Sequence, residues 1–160
     1  MNTQHASHLE RRRIEGRVLV PFIAACREKF GDEATRELVT AFIEKVSVAD
    51  GAKSAEHFGN DLAGLRRIAE EVWAGPGGGI EFQMIEQSEE RLAFNVTSCR
   101  YAEIYRQWGL TELGFQLQCS RDYPMLTGFN EDIELERSQT IMQGAACCDF
   151  RYRKKAKPAD

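Results

Sequence analysis

The chain has 160 residues, of which 42% are hydrophobic and 29% are charged, and its formal net charge is -4. This length suits a single domain, residues 1–160, with its own hydrophobic core. The acidic balance argues against a nucleic-acid partner, and no apolar run reaches the roughly 20 residues that a membrane span needs.

The N-terminus places a basic cluster before an apolar stretch, as a secretory signal does. Because Glu10 and Glu15 flank the arginines and Pro21 interrupts Val18–Cys26, we expect a helical segment of the mature chain instead. The cysteines are odd in number and too sparse for a disulfide framework, which predicts reduced thiols in a cytoplasmic protein. They are Cys26, Cys99, Cys119, Cys147 and Cys148.

Helical periodicity dominates residues 1–75. A first helix is predicted from about Ile14 to Phe30, with a kink or restart at Pro21. A second follows from Asp32 and stops near Asp50-Gly51, and a third covers about Ala55 to Trp73. The apolar stripe predicted along one face of the first helix is Ile14, Val18, Phe22 and Cys26.

The stretch AGPGGG, Ala74–Gly79, lacks the Gly-Lys-Ser/Thr of a phosphate loop and indicates a turn. After it the apolar period becomes two, and Ile80–Gln87 and Arg91–Cys99 predict a β-hairpin. The later predicted elements are helices over Arg100–Trp108 and from Thr111 to about Cys119, and strands from Ile133 and over Cys147–Arg153.

This order of elements predicts an α+β fold. A helical N-terminal half, residues 1–75, is followed by an antiparallel β-sheet with packed helices over residues 79–153, the half that carries the site. Residues 154–160 are predicted to be a flexible tail.

The first candidate site residues lie at the end of the second hairpin strand. Strict alternation places Asn95, Thr97 and Cys99 on one strand face. Asn-Val-Thr is also a glycosylation sequon, but the cysteine usage gives no secretory route. A polar row commonly faces solvent, whereas free cysteine is among the most buried residue types, so the row is a candidate site wall.

Three more candidate groups follow along the chain. Cys119 and Asp122 share a face if their helix persists, and the carboxylate would raise the thiol pKa. Arg137 and Thr140 form either a carboxylate-binding pair or a solvated strand face. In the last strand, alternation separates Cys148 and Phe150 from Asp149 and Arg151.

A metal site receives little support from spacing. The chain has no Cys-x-x-Cys pair and no helical His-x-x-x-His, and the histidines His5, His8 and His57 lie in the helical half. A zinc site built from Cys99, Cys119 and Cys148 stays geometrically open. No metal and no cofactor is predicted.

An ordered set of motifs over residues 92–153 resembles the L-2-amino-thiazoline-4-carboxylic acid hydrolase family. In this chain the motifs read Asn95-x-Thr97-x-Cys99-x-Tyr101-Ala102-Glu103, Gly109-x-x-Glu112-Leu113-Gly114, Cys119-x-x-Asp122, Arg137-x-x-Thr140-Ile141-Met142-x-Gly144 and Cys148-Asp149-Phe150-Arg151. Cys147 departs from the pattern, which expects a bulkier residue there.

The resemblance implies a hydrolase that binds a small-molecule substrate, a cyclic isothiourea, and opens it to a carbamoyl-cysteine. Assembly into a homo-oligomer is a separate expectation that the sequence leaves open. The catalytic candidates are Cys99, Cys119, Asp122 and Cys148. The substrate-binding candidates are Asn95, Thr97, Tyr101, Glu103, Arg137, Thr140 and Arg151.

Several mechanistic alternatives stay open at this stage. A cysteine nucleophile would form a thiouronium intermediate, with Cys99 and Cys119 ranked before Cys148. Direct attack by water is the alternative. Asp122 is expected to hold the amidine and relay protons, and Arg137 to bind the carboxylate with Asn95 and Thr97. A small-ligand sensor and a zinc-bearing structural domain are the other functions considered.

Overall fold

A computed structural model describes residues 6–156 of the chain. The helices are α1 His8–Phe30, α2 Asp32–Phe58, α3 Leu62–Arg67, α4 Arg100–Gln107, α5 Thr111–Leu117 and α6 Asp122–Phe129. The strands are β1 Ile80–Gln87, β2 Arg91–Cys99, β3 Ile133–Glu136 and β4 Cys148–Lys154. The predicted α+β fold, with a helical N-terminal half before an antiparallel sheet, is confirmed.

Helix α1 begins earlier than its apolar periodicity indicates, and it continues without a break through Pro21. The Ser7 side chain accepts the backbone N–H of Glu10 and so caps the helix before His8. Most of the apolar stripe faces outward, because Ile14, Val18 and Phe22 are exposed. The inward-facing residues are Leu9, Gly16, Ile23 and Cys26, of which only Cys26 belongs to the stripe.

Helix α2 passes through the predicted stop at Gly51. This glycine serves close packing instead of a turn, since a methyl group there would overlap the carbonyl of Met125 in α6. Gly128 of α6 meets the Val48 carbonyl in the same way. No local pattern predicts α6 as a separate helix, and the two glycines allow it to pack closely against α2.

The predicted third helix is divided and shifted. Gly59 ends α2 with φ +86°, and Asp61 caps α3 by accepting the backbone N–H of Gly64 at 2.8 Å. The helix then widens into a π-helical segment, Ile68–Trp73. The predicted turn at Ala74–Gly79 follows and leads into the hairpin.

The sheet has the strand order β1-β2-β4-β3, and all neighbouring pairs are antiparallel. Both hairpin strands have the bounds that alternation predicts. One face packs against the helices, and its aromatic rings stack, with Phe94 and Phe150 at 5.1 Å between centroids. The buried residues of this face in β2 and β4 are Leu92, Phe94, Val96, Cys148, Phe150 and Tyr152.

A β-bulge at Thr97 changes which way the end of β2 faces. Ile80 pairs with Cys99 and Phe82 pairs with Val96, so β1 advances by two residues while β2 advances by three. The extra residue reverses the alternation beyond it. The prediction that Asn95, Thr97 and Cys99 share a face was therefore wrong, and Cys99 faces the same side as Val96.

Strand β3 ends after four residues, earlier than predicted. The Asp149 carboxylate accepts the backbone N–H groups of Ser138 and Gln139 and the Ser138 hydroxyl, which draws this segment away from strand pairing. Lys154, the first residue of the predicted tail, still belongs to β4, and residues 157–160 and His5 lie outside the described residues. Within residues 6–156, every helix is too short or too polar to cross a membrane.

Candidate functional site

A cavity of about 140 Å³ lies between the start of α1, the inner sheet face and the start of α6. Its lining combines thiols, one carboxylate and three arginines with apolar walls. The lining residues are His8, Arg12, Trp73, Ile80, Val96, Cys99, Tyr101, Gln118, Cys119, Arg121, Asp122, Met125, Arg137, Cys148 and Phe150.

Three cysteines from separate elements meet at this cavity. Cys99 ends β2, Cys119 lies in a short 3-10 turn between α5 and α6, and Cys148 begins β4. All three are free thiols. The fourth nearby cysteine, Cys147, lies outside the cavity lining and its sulfur accepts a hydrogen bond from Gln139 at 3.1 Å.

The Cys99 thiol caps helix α4. Its sulfur accepts the backbone N–H of Ala102 at 3.4 Å, at the helix end where anions are favoured. Burial raises the pKa of this thiol, while the N–H groups of Ala102 and Tyr101 oppose that rise. Cys99 is thus stabilised as a thiolate by the N-terminus of an α-helix, whereas Cys148 accepts one backbone N–H at the start of a three-residue 3-10 turn.

The other two thiols lie in environments that favour the protonated form. Burial, followed by the neighbouring Asp122 carboxylate, raises the pKa of Cys119 far above its ordinary value. Burial also raises the pKa of Cys148 to about 11, against the opposing hydrogen bond from the Ile141 N–H. Deprotonating either group therefore costs more than deprotonating a thiol in water.

Asp122 and Arg137 form a closely hydrogen-bonded ion pair in the cavity wall. The Arg137 side chain is 4% exposed, and it also donates to the carbonyl of Cys119 at 3.1 Å. Burial raises the pKa of Asp122 to about 6, although Arg137 opposes that rise. The carboxylate is thus mostly ionised at neutral pH but close enough to its pKa to exchange protons.

Arg137 is held by aromatic rings as well as by the ion pair. Its guanidinium lies 5.5 to 5.9 Å from the ring centroids of Phe115, Tyr123 and Phe150. Because its charge is committed to Asp122, this arginine orients the carboxylate.

His8 and Tyr101 form a second polar pair on the wall. Nδ1 of His8 lies 2.8 Å from the Tyr101 hydroxyl. Burial, helped by Arg12 and Arg11, lowers the pKa of His8 to about 4, so the imidazole is neutral at neutral pH. Burial raises the pKa of Tyr101 to about 12, so its hydroxyl keeps its proton.

Two arginines bring positive charge to the outer side of the cavity. Arg12 contacts Glu15 at 2.9 Å and Asp50 at 3.6 Å, and Arg121 approaches the same two carboxylates at 3.6 and 3.9 Å. Burial, followed by the charge of Arg12, lowers the pKa of Arg121 to about 10. Glu15 and Asp50 oppose this lowering, and an anion bound between the two guanidinium groups would reduce their mutual repulsion.

The remaining predicted binding residues lie away from the cavity. Arg151 donates to the Asn95 side chain at 2.8 Å on the outer sheet face, and exposed Thr97 donates to the Glu81 carbonyl. Their expected joint site with Arg137 is not formed. Glu103 is exposed on α4, and buried Thr140 caps a short 3-10 turn by accepting the backbone N–H of Gln143.

Sequence reasoning missed His8, Arg12 and Arg121. The signal for the first two was the Ser7-x-x-Glu10 pattern, which marks a helix start before His8 and places this turn next to the sheet. Arg121 had no comparable signal, because its position depends on the packing of α6 against α2.

The three cavity thiols and the Asp122 carboxylate do not form a metal-binding site. Among residues 6–156, no group of three or more His, Cys, Asp or Glu side chains is arranged to hold a metal ion. The zinc alternative built on the three cysteines therefore has no geometric support.

Comparison with solved structures gives the fold. A trafficking protein particle complex subunit 3 from Naegleria fowleri, crystallised covalently bound to palmitic acid, aligns with a TM-score of 0.52 at 12% identity, covering 94% of this chain and 98% of that one. At this identity the likeness concerns architecture alone. No curated protein sequence matches.

Comparison with protein families identifies a relationship in sequence. The sequence model of the L-2-amino-thiazoline-4-carboxylic acid hydrolase family matches residues 11–152, which include every described residue of the cavity except His8. The family's name indicates a hydrolase. The chain belongs to the L-2-amino-thiazoline-4-carboxylic acid hydrolase family.

Proposed function

We propose that this protein hydrolyses a small cyclic amidine such as L-2-amino-thiazoline-4-carboxylate, in the cavity between α1, the sheet and α6. The observation that carries the proposal is the convergence of three thiols on one carboxylate, Asp122, whose side chain is 20% exposed in the cavity wall. Five free cysteines support the cytoplasmic location expected from the sequence.

The size of the cavity supports a substrate with a single small ring. Its volume of about 140 Å³ corresponds to about five water molecules at about 30 Å³ each. Drug-sized ligands occupy pockets of roughly 300 to 1,000 Å³. A five-membered ring with one amino and one carboxylate substituent is smaller than a drug-sized ligand and suits a cavity of this volume.

Two charged groups would hold the two ends of such a substrate. The ionised Asp122 carboxylate suits the protonated amidine, and Arg12 with Arg121 suits the carboxylate, since a guanidinium can donate two parallel hydrogen bonds. This assignment replaces the earlier expectation for Arg137, whose side chain is only 4% exposed and closely paired with Asp122. Arg12 and Arg121 also have acidic neighbours, so the substrate carboxylate would share them with Glu15 and Asp50.

Cys99 is the proposed nucleophile because the N-terminus of α4 stabilises its thiolate. Asp122 accepts the thiol proton while sulfur attacks the carbon between the ring nitrogen and ring sulfur. Cleavage of the bond from that carbon to the ring sulfur follows, and Asp122 returns the proton to the departing thiol. A cationic thiouronium linked to Cys99 remains.

Water then releases the product. Asp122 accepts a proton as water attacks the thiouronium carbon, and the Cys99 sulfur leaves with that proton. The protonated urea group loses its proton to solvent, and the product is a carbamoyl-cysteine with a free thiol. Each turnover consumes one water and regenerates Cys99 and Asp122.

Single replacements of the cavity cysteines test the chemistry. Cys99→Ser should lower kcat for ring opening by at least about 100-fold, and intact mass should detect a substrate adduct in the wild-type protein only. Cys147→Ser is the matched control, because this thiol lies next to Cys148 but outside the cavity lining. Near-normal turnover in Cys99→Ser, Cys119→Ser and Cys148→Ser alike would exclude covalent catalysis and favour direct attack by water.

Binding without turnover is the second candidate function. The observation that favours it is the burial of the three thiols, which raises the pKa of each and so opposes thiolate formation. A thermal-shift experiment with the thiazoline carboxylate, followed by product analysis, separates the two functions. Stabilisation without any carbamoyl-cysteine would favour the sensor.

A further inference from the structure

The outer face of α1 and α2 is apolar and exposed in the single chain. Five large side chains of this face are each between 46% and 64% exposed. Spacings of four residues within each helix align them in two ridges. The residues are Ile14, Val18 and Phe22 on α1, and Leu38 and Phe42 on α2; we call them the α1–α2 face.

The two ridges form one continuous surface. A groove between the helices is lined by Ile14 and Val18 from one side and by Phe42 and Val46 from the other. Exposed alanines, including Ala25, follow the same helix faces, and small side chains allow another helix to approach closely.

The area of this face matches the apolar part of a stable interface. Five side chains about half exposed, at roughly 150 to 250 Å² per large side chain, leave on the order of 500 Å² of apolar surface. That is at the upper end of roughly 300 to 600 Å² for the largest patch of a typical monomer. A standard interface buries about 800 Å² per partner, of which roughly 56 to 65% is non-polar.

The charges of the two helices favour a second copy as the occupant. Helix α1 contains six Lys and Arg against three Asp and Glu, whereas α2 contains three Lys and Arg against six Asp and Glu. In a two-fold interface a surface meets itself, and the arrangement in which α1 of each chain packs across α2 of the other brings opposite charges together.

We propose that two copies of this chain form a two-fold homodimer through the α1–α2 face. The groove also includes Arg12, Glu15, Asp50 and Arg121. The partner therefore covers the solvent side of the same charged network whose other side reaches the thiol cavity.

The test is the mass of the full chain in solution, measured by light scattering and sedimentation across a dilution series. The expected mass is twice the 18.2 kDa of the monomer. Val18→Glu and Phe42→Glu should each raise the dissociation constant by at least about 100-fold, or about 2.7 kcal/mol. Ile85→Glu is the control, because Ile85 is 53% exposed on β1, outside the face.

Unchanged far-ultraviolet circular dichroism spectra should accompany the loss of dimer in both α1–α2 variants, while their melting temperatures fall because association no longer stabilises the folded chain. A wild-type protein that is monomeric at every concentration overturns the proposal, as does a Val18→Glu protein that dimerises like the wild type. Co-sedimentation of a monomeric wild type with phosphatidylcholine–phosphatidylserine vesicles, abolished by Val18→Glu, would also overturn it and assign the face to membranes.

Discussion

Replacing His8 and Asp122 one at a time should change the slope of unfolding free energy against pH in opposite directions. Folding lowers the pKa of His8 from 6.5 to about 4 and raises that of Asp122 from 3.8 to about 6. His8 therefore contributes stability that is present above pH 6.5 and lost as the pH falls towards 4. Asp122 contributes stability that is present below pH 3.8 and lost as the pH rises through 6.

The magnitudes follow from about 1.36 kcal/mol for each unit of pKa difference between the folded and unfolded states. Both groups then contribute about 3 kcal/mol, with opposite signs over most of the interval from pH 4 to pH 6. Their sum is nearly flat there in the wild type. Part of each contribution falls outside the interval from pH 4 to pH 6, so we expect Asp122→Asn to gain about 2 kcal/mol of unfolding free energy between these two pH values relative to the wild type, and His8→Gln to lose about as much.

Urea denaturation at intervals between pH 4 and pH 7 measures these slopes. Loss of the Asp122–Arg137 pair lowers stability at every pH, so the comparison uses slopes and not absolute values. Asn and Gln keep polar groups at both positions, so each substitution mainly removes a titration. Parallel curves for the wild type and both variants would refute the assignment of opposed, burial-driven pKa shifts.

Three further predictions concern packing, substrate binding and the acid limb of activity. Gly128→Ala should destabilise the fold by about 3 kcal/mol because its methyl group meets the Val48 carbonyl. Gly109→Ala is the control and should cost about 1 kcal/mol, because Gly109 has a φ of +68° but no close neighbours. Equal urea midpoints for the two variants would contradict the close contact between α2 and α6. Arg121→Gln should raise KM for the thiazoline carboxylate by roughly 10- to 100-fold, with no change for its carboxamide analogue. Wild-type turnover should fall below about pH 6 as Asp122 is protonated. Asp149→Ala releases the segment before Thr140, which carries Arg137, the partner that opposes the raised pKa of Asp122. In a pH–rate profile this variant should therefore show a higher acid midpoint than the wild type.

Local patterns predicted the hairpin closely and the helix ends poorly. Alternation and the intervening turn place Ile80–Gln87 and Arg91–Cys99 correctly, because cross-strand neighbours in a hairpin are close in sequence. At Gly51 a local pattern predicts the wrong structure. A glycine after an aspartate indicates a helix stop, yet here it lies within α2 for contact with Met125, 74 positions later in the chain.

The candidate site was predicted in part. Motif resemblance singled out Cys99, Cys119, Asp122 and Cys148, and the fold brings them to one cavity. It also singled out Asn95, which lies on the outer face. Strict alternation grouped Asn95 with Cys99 because alternation carries no information about the bulge between them. Apolar periodicity likewise identified Val18 as part of a stripe, but periodicity does not tell whether a stripe packs within its own chain.

Because of the bulge in β2, the site depends on the number of residues in that strand as well as on the chemistry of their side chains. The Thr97 side chain is exposed, and many residue types would serve in its place. Its removal is different, since restoring strict alternation would turn Cys99 towards the outer face with Asn95. Deletion of Thr97 would then remove the Cys99 thiol from the cavity, although no residue that lines the cavity is substituted.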